Sequence, residues 1–253
     1  MIEVAKEAAI ESGKITLSLQ GKRHTFIGKE KLGDFTTEAD ITSEKKILSI
    51  LQTKFPDHNF ISEEIGKIDN GSDYWWIIDP LDGTIPYTSG LRTFGVSIGL
   101  LKDKKPILGV VNLPAMESLF WAEEGKGAFL NGQEVKVKAN NDLSEAIVAF
   151  GLGHRQERQK MLNELVMPIA DEVRYPPVVD CAVFGGSMVA AGIYDAFVHY
   201  AYPWDFAAAA VLTTEAGGKV TDLKGKPIDW FQPRIMYVAS NGLLHDEILS
   251  LIE

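Results

Sequence analysis

The chain has one cysteine, Cys181, and a single thiol cannot close an internal disulfide. That excludes a disulfide-stapled secreted scaffold and a thiolate metal cluster, and it agrees with a reducing compartment. Cys181 keeps two readings, a nucleophile or a small buried apolar residue. No apolar run reaches the roughly 20 residues that span a bilayer. The opening Met1-Ile2-Glu3-Val4-Ala5-Lys6-Glu7 is a charged amphipathic helix start, unlike a secretory leader, so a cytoplasmic location and no membrane partner are expected. Positive charge is also scarce: 25 Lys and Arg face 35 Asp and Glu, a net charge of −10. A phosphate backbone recruits Lys and Arg, so nucleic acid is excluded as a general partner. A small phosphorylated substrate is still admissible if a cation bridges the two negative partners. Repeats, low-complexity tracts and linkers are absent from the sequence.

What the chain does have is enough apolar residue, 45% of 253, to bury a large core as one domain or two tightly packed lobes. Its most informative stretch is 75–84. Trp75-Trp76-Ile77-Ile78 suits a central strand, and Pro80 cannot continue a sheet, so the strand is expected to end at Asp79. Asp79 and Asp82, three residues apart on a tight turn, can point at one spot with the Leu81 carbonyl between them. That is an all-oxygen setting for a hard divalent cation such as Mg²⁺. The alternative is that both acids merely cap the turn. Gly83 lets a backbone N–H approach a ligand closely, and a helix starting at Thr84 would offer free N–H groups to a phosphate.

In chain order, residues 3–19 read as a helix ended by Gly21, 29–40 as a polar turn-rich segment, and 41–55 as a second helix with Ile47, Leu48, Leu51 and Phe55 on one face. Asp40 with Thr42 or Ser43 reads as an N-cap region. Phe60-Ile61-Ser62 is a short strand ending in Glu63-Glu64, a pair that is ordinarily solvated surface. Strands follow over 93–138, with Val96, Ile98 and Leu100 alternating, a buried run at 107–111, and a hairpin turn at Asn131-Gly132 before Val135 and Val137. Residues 147–150 read as a strand and 154–173 as a charged surface helix. Residues 207–216 form an Ala-rich helix closed by Gly217-Gly218, with strands near Val220 and at 235–239 and a last helix over 243–252. Helices alternating with strands in both halves, around an antiparallel run, favour a layered α/β sandwich. Asp205, directly before the Ala-rich helix, is an N-cap by default. Pro203-Trp204 would rigidify its approach.

Taken together, Asp79-Pro80-Leu81-Asp82-Gly83-Thr84, Ser62-Glu63-Glu64, Thr37-Glu38-Ala39-Asp40, Trp204-Asp205 and Glu215-Ala216-Gly217-Gly218 resemble the inositol monophosphatase family of Mg²⁺-dependent, lithium-sensitive phosphatases. The resemblance runs from about residue 29 to Asn241, and its separate motifs keep the family's order and spacing. It implies an αβαβα sandwich of the inositol monophosphatase and fructose-1,6-bisphosphatase type. It further implies one phosphatase domain over 1–253, divisible into a metal and phosphate lobe (1–145) and a substrate lobe (146–253), and a homodimer. Carried over residue by residue, Glu63, Asp79 and the Leu81 carbonyl hold one Mg²⁺, while Asp79, Asp82 and Asp205 hold a second, in a centre of two or three ions. Thr84, bonded to Asp40, would with Glu63 orient and deprotonate a metal-bound water, and the Gly83 and Thr84 N–H groups would hold phosphate oxygens. Two ions roughly 4 Å apart suit an in-line displacement.

Departures from the family pattern fall on the alcohol side. Ile85-Pro86-Tyr87 replaces a usual Asn-Phe, Asp180-Cys181 replaces a Gly-Ser pair, Pro177 stands for an Arg, and His199 stands where inositol-specific members place a Glu. Asp180, Cys181 and His199 are therefore the substrate-binding candidates. The expected activity is hydrolysis of a small phosphate monoester in the manner of an inositol-1-monophosphatase. Histidinol phosphate, a sugar phosphate and 3′-phosphoadenosine 5′-phosphate are alternative substrates, and a catalytically silent metal-binding regulator is an alternative of another class.

Overall fold

The computed structural model describes residues 1–22, 27, 28, 35–153 and 157–252. Expectations placed on 29–34 and 154–156 lie outside the described residues. Near the N-terminus, α1 (Ile2–Leu19) buries a stripe of small residues, Ala5, Ala8, Ala9, Ser12, Gly13 and Thr16. A Cβ on Gly13 would meet Asn112 Nδ2 at 2.2 Å, so the small residues are what let this helix lie close to the sheet. A short pair, β1 (Ile27–Gly28) and β2 (Phe35–Thr36), precedes α2 (Glu38–Lys54).

Next come β3 (Asn59–Ser62), β4 (Gly66–Ile68), β5 (Tyr74–Asp82), the five-residue α3 (Thr84–Thr88), β6 (Gly95–Lys102), β7 (Lys105–Leu113), β8 (Ser118–Glu123), β9 (Ala128–Leu130) and β10 (Gln133–Val135). The strands from β3 onward form one eight-stranded sheet in the order β10-β9-β8-β7-β6-β5-β3-β4, antiparallel except for β3 beside β5. The second half supplies β11 (Val148–Phe150), α4 (Arg158–Met161), α5 (Met167–Ala170), α6 (Ala182–Ala190), β12 (Ala196–Ala201), α7 (Pro203–Glu215), β13 (Lys219–Thr221), β14 (Ile235–Ser240) and α8 (His245–Ser250). Its four-stranded sheet runs β11-β12-β14-β13.

The buried clusters define five layers. Ala5, Ala9, Ile47 and Leu51 of α1 and α2 pack on Trp76, Ile78, Ile98 and Val110 of the large sheet. Ile77 and Leu101, on its other face, meet Ala182, Val189, Phe206 and Ala210 of α6 and α7, which also cover Phe197 and Tyr237 of the small sheet. The outer face of that sheet, with Val148, Val198 and Val238, is closed by Met161, Leu165, Ile169 and Ile248. The fold is thus an αβαβα sandwich. Among the described residues, no helix is long and apolar enough to cross a membrane.

Layering explains where the structure departs from expectation. The β6 strand is buried on both faces over seven of its residues, because helices cover both sides, so the simple alternation reading fails there. Strand β5 does not stop at Asp79. It runs to Asp82 through an irregularity in which Asp79 pairs with Ser97 and Asp82 with Gly95, and that bulge removes the need for a ladder N–H at Pro80. Helix α2 begins at Glu38 behind a Thr37 N-cap, with Asp40 closing a capping box, instead of starting at residue 41. Helix α7 begins at Pro203, so Asp205 is inside its first turn and Tyr202 occupies the N-cap. The charged segment over 158–170 is not a plain surface helix: its middle turn is π-wound and it buries Met161, Leu165, Val166 and Ile169.

The central helix α7 lies flush on the large sheet. A Cβ on Gly109 would meet the Ala208 carbonyl at 2.3 Å, and one on Gly99 would meet Ala207 Cβ at 2.9 Å. Glycine on the strand and alanine on the helix set the spacing of these two layers.

His245 ties α8 to the small sheet. It is 0% exposed, with Thr221 Oγ1 and Ser240 Oγ each 2.8 Å from a ring nitrogen. Burial, with Lys219 nearby and opposed by Asp246, pulls its imidazole from 6.5 down to about 4. The unfolded chain then takes up the proton first. This contribution to stability is complete above about 6.5 and is lost as the pH falls toward about 4. Asp40 and Asp82, pushed up to about 6, work in the opposite direction in that interval. The informative quantity is therefore the stability difference between the wild type and His245→Asn by urea unfolding. We expect that gap to be widest near pH 7.5 and to shrink toward pH 5; a gap independent of pH would contradict a neutral buried imidazole.

Candidate metal centre

Strand and helix ends converge at the C-terminal end of β5, an interior strand of the large sheet. Strand β5 delivers Asp79 and Asp82 on either side of its irregularity, and the first turn of α7 delivers Asp205. One carboxylate oxygen from each of these three residues lies within 4.8 Å of the others. Asp79 is 1% and Asp205 8% exposed. Burial pushes the Asp79 carboxyl well above its ordinary value, and the charges of Glu63, Asp82 and Asp205 push it further. Burial does the same to Asp205, with Asp82 and Glu63 adding to it and a hydrogen bond to Asp79 opposing. Asp82 is pushed up to about 6 by burial, opposed by hydrogen bonds from the Val183 N–H, the Cys181 thiol and the Gly83 N–H.

Each acid is held from behind. Asp79 Oδ1 accepts the Leu81 N–H at 2.9 Å, Asp82 Oδ2 the Val183 N–H at 2.7 Å, and Asp205 Oδ2 the Tyr202 N–H at 2.7 Å. Two full charges at the cluster's 4.8 Å limit repel by about 3 kcal/mol at an effective dielectric near 20. The trio is therefore stable only when partly protonated or when cations neutralise it. All donors are carboxylate oxygen, with the Leu81 carbonyl beside them, and this set fits a hard divalent ion of the Mg²⁺ kind.

The other sequence candidates surround the trio. Glu63 follows β3 at the edge of the cluster and acts on it through its charge on Asp79 and Asp205. Gly83, at φ +81°, turns the chain from β5 into α3, and a Cβ there would meet the Thr93 carbonyl at 2.8 Å. Thr84 Oγ1 is 3.3 Å from the Leu81 carbonyl and 3.5 Å from Asp40 Oδ1. Asp40 is buried, accepts the Thr37 N–H at 2.8 Å and the Thr37 hydroxyl at 2.5 Å, and is pushed up to about 6 by burial.

On the opposite side, Cys181 caps α6 with its thiol 3.2 Å from Asp82 Oδ2. Burial, then the Asp82 charge, pushes that thiol well above its ordinary value, in keeping with the reading of Cys181 as a small buried residue. Asp180 is exposed, and its charge reaches Asp82. His199, a substrate-binding candidate, is 8% exposed on β12, with its ring edge-on to Phe206 at 5.7 Å. It fills the space over Gly151, where a Cβ would meet the ring at 2.3 Å. A separate crevice of about 300 Å³, lined by Lys104, Lys105, Val211, Glu215 and Trp230, lies toward the far end of α7 and contains none of these acids.

Sequence reasoning missed Glu44 and the capping role of Thr37. Glu44 is buried on α2 and accepts the Glu64 and Ile65 N–H groups. Its signal was available: it sits four residues after Asp40, on the same helix face.

The whole chain, residues 1–253, matches the family model described as the inositol monophosphatase family. It is 38% identical over 253 residues to a protein of Aquifex aeolicus named fructose-1,6-bisphosphatase/inositol-1-monophosphatase, covering 99% of this chain and 94% of that one. It is 34% identical over 231 residues to a histidinol-phosphatase of Chlorobaculum parvum, covering 89% of this chain and 86% of the other. Among solved structures, the extragenic suppressor protein suhB of Bartonella henselae superposes with a TM-score of 0.92 at 30% identity, over 99% of this chain and 97% of that one.

The repulsion within the trio is open to measurement on the metal-free protein. Asp205→Asn and Asp79→Asn each remove one buried charge at constant size, so at pH 8 in chelator each variant should melt a few degrees above the wild type. Added Mg²⁺ should then raise the melting temperature of the wild type and not of the variants. Variants that melt lower than the wild type in chelator would show that the carboxylates act mainly as helix and turn caps.

Proposed function

The chain belongs to the inositol monophosphatase family and is a phosphoric monoester hydrolase, and we propose that it performs Mg²⁺-dependent hydrolysis of a small phosphate monoester in the manner of an inositol-1-monophosphatase. The single observation that carries the cation requirement is the close trio of buried Asp79 and Asp205 with half-buried Asp82, whose shared seclusion is costly unless positive charge is supplied. In this reading Glu63, Asp79 and the Leu81 carbonyl hold one ion, and Asp79, Asp82 and Asp205 a second. Mg²⁺ held by these residues would supply charge against the phosphate oxygens and would make a nearby water more acidic.

The chain's own groups do the rest. The Thr84 hydroxyl passes its hydrogen bond toward Asp40 and turns its lone pairs to the attacking water, while Glu63 takes that water's proton. Asp40, kept in place by Thr37, fixes the direction of the Thr84 hydroxyl. The Gly83 and Thr84 N–H groups, at the turn from β5 into α3, hold phosphate oxygens in line with the leaving group. On the alcohol side Asp180, Cys181 and His199 set which ester fits. Asp205 comes from 146–253 and the other ligands from 1–145, so the two proposed lobes share the centre. The same reading includes lithium inhibition, a homodimer detectable by light scattering, and work in the cytoplasm.

Turnover of p-nitrophenyl phosphate should require added Mg²⁺, vanish in chelator and fall with lithium or excess calcium. Thr84→Ala should lower kcat by about 10²-fold or more with little change in the Mg²⁺ concentration needed, as expected of a group that orients water. Full activity in chelator would defeat the Mg²⁺ requirement, and a folded wild type with no turnover at all would defeat the phosphatase reading and favour the regulatory one.

Asp180 offers a test of selectivity. An exposed negative charge that already reaches Asp82 disfavours a second phosphate on the substrate. Asp180→Asn should raise kcat/KM for fructose 1,6-bisphosphate relative to inositol 1-phosphate by about 3- to 10-fold, the effect of a partly screened charge. An unchanged ratio across inositol 1-phosphate, histidinol phosphate and fructose 1,6-bisphosphate would remove Asp180 from the alcohol site.

A further inference from the structure

Glu44 is a buried carboxylate that the proposed chemistry leaves unused. It is 2% exposed and lies one helical turn after Asp40 on α2. Its Oε1 accepts three hydrogen bonds, from the Ser62 hydroxyl at 2.5 Å, the Glu64 N–H at 3.0 Å and the Ile65 N–H at 3.2 Å. These donors bracket Glu63 on both sides. Glu63 itself donates its N–H to the Ile78 carbonyl at 3.3 Å, one residue before Asp79.

The reason for such an arrangement lies in the turn between β3 and β4. Ser62 pairs with Gly66, so residues 63–65 form a three-residue loop whose N–H groups find no partner in that ladder. A helix carboxylate delivered from the neighbouring layer satisfies two of them, and bonds to a charged acceptor are stronger than those to a neutral one. With the backbone anchored on both sides, the Glu63 side chain has little freedom in where it projects, and its charge already acts on Asp79 and Asp205. Asp40 and Glu44 are separated by four residues, about 6 Å along the helix axis. One acid reaches toward Thr84 and the other grips the loop of Glu63. Successive turns of a single helix therefore set the two groups between which the attacking water would sit.

We propose that Glu44 is a positioning residue that aims Glu63 at the metal centre by holding the 63–65 loop. This rests on the reading of Glu63 as a ligand and base. Glu44 acts through acceptor geometry: its charge has the same sign as the centre's acids and does not itself favour an anionic substrate. Glu44→Gln keeps an acceptor oxygen at the same reach, whereas Glu44→Asp keeps the charge and withdraws it by one methylene. A displacement of that order at a catalytic group can cost about 10²-fold in rate.

The experiment compares these two variants and Ser62→Ala in three readouts: kcat and KM with p-nitrophenyl phosphate, the Mg²⁺ concentration for half-maximal thermal stabilisation, and amide hydrogen exchange at Glu64 and Ile65 in the metal-free protein. The expected order is Glu44→Gln within about 10-fold of wild-type kcat and Glu44→Asp down by about 10²-fold, with KM nearly constant, weaker Mg²⁺ stabilisation, and at least 10-fold faster exchange at both amides. The reverse order, Asp active and Gln inactive, would mean that charge is what matters and would overturn the proposal. So would wild-type exchange at Glu64 and Ile65 in Glu44→Asp. Should Glu44→Asp fail to fold, Ser62→Ala decides: a several-fold loss of kcat at constant KM supports positioning, and wild-type kinetics overturns it. A folded wild type with no turnover at all defeats the phosphatase reading itself, and the exchange rates still judge the grip of Glu44 on the loop independently.

Discussion

Mutual repulsion among buried carboxylates is the constraint around which this molecule is arranged. Asp79, Asp205, Asp40 and Glu44 are buried and Asp82 half-buried, on β5, α2 and α7, and isolated charges do not survive such burial. Each is made tolerable in the same way: a backbone N–H meets one of its oxygens from behind. For the three acids of the cluster, one carboxylate oxygen from each lies within 4.8 Å of the others. The supporting donors sit on a strand bulge, on the first turns of α2, α6 and α7, and on a three-residue loop, so the fold brings loose backbone ends to one place to keep the acids ionisable. In the proposed reading a cation would complete the arrangement, and a phosphate ester is the substrate class that such a cation and the N–H groups at Gly83 and Thr84 would jointly accept.

Much of this could be read from the chain without coordinates, for identifiable reasons. Helix α1 and the second helix were legible from their periodicity, and the strands near 60, 77, 98 and 109 and the Ala-rich helix from short apolar runs bounded by turn residues. Asp79 and Asp82 stood out because two acids, a proline and a glycine interrupt an apolar run. What escaped was context. Pro80 looks like a strand terminator unless the strand is known to bulge opposite Ser97 and Gly95. Asp205 looks like an N-cap because Pro203 and Trp204 disguise the true first turn. Glu44 is one more acid in a helix rich in charge, and only the loop packed against it distinguishes it from a solvated neighbour.

The alcohol side was least legible, and the physical cause is burial. His199, read as a substrate-binding candidate, is packed against Phe206 over a glycine that gives it room. Phe206 directly follows Asp205, so the imidazole packs on the first turn of α7, which carries one acid of the trio. Cys181 shows a related coupling. Its thiol and the Val183 N–H both lean on the same oxygen of Asp82, so the start of α6, on the substrate side, also supports an acid of the metal cluster.

The flush contact of α7 on the sheet has a bearing on how natural variants of this chain are judged. Gly99 and Gly109 carry no functional group and would be scored as ordinary strand positions by anyone checking a variant for its acidic residues. A methyl group at Gly109 runs into the Ala208 carbonyl, and relief of that clash means lifting the helix whose first turn carries Asp205. Such a variant would keep every carboxylate and still have its centre pulled apart, because what holds the acids at their common depth is the absence of side chains one layer below. An inventory of retained ligands is therefore a poor guide to whether a copy of this chain is still alive as an enzyme; the glycines of β6 and β7 belong in the reckoning as well.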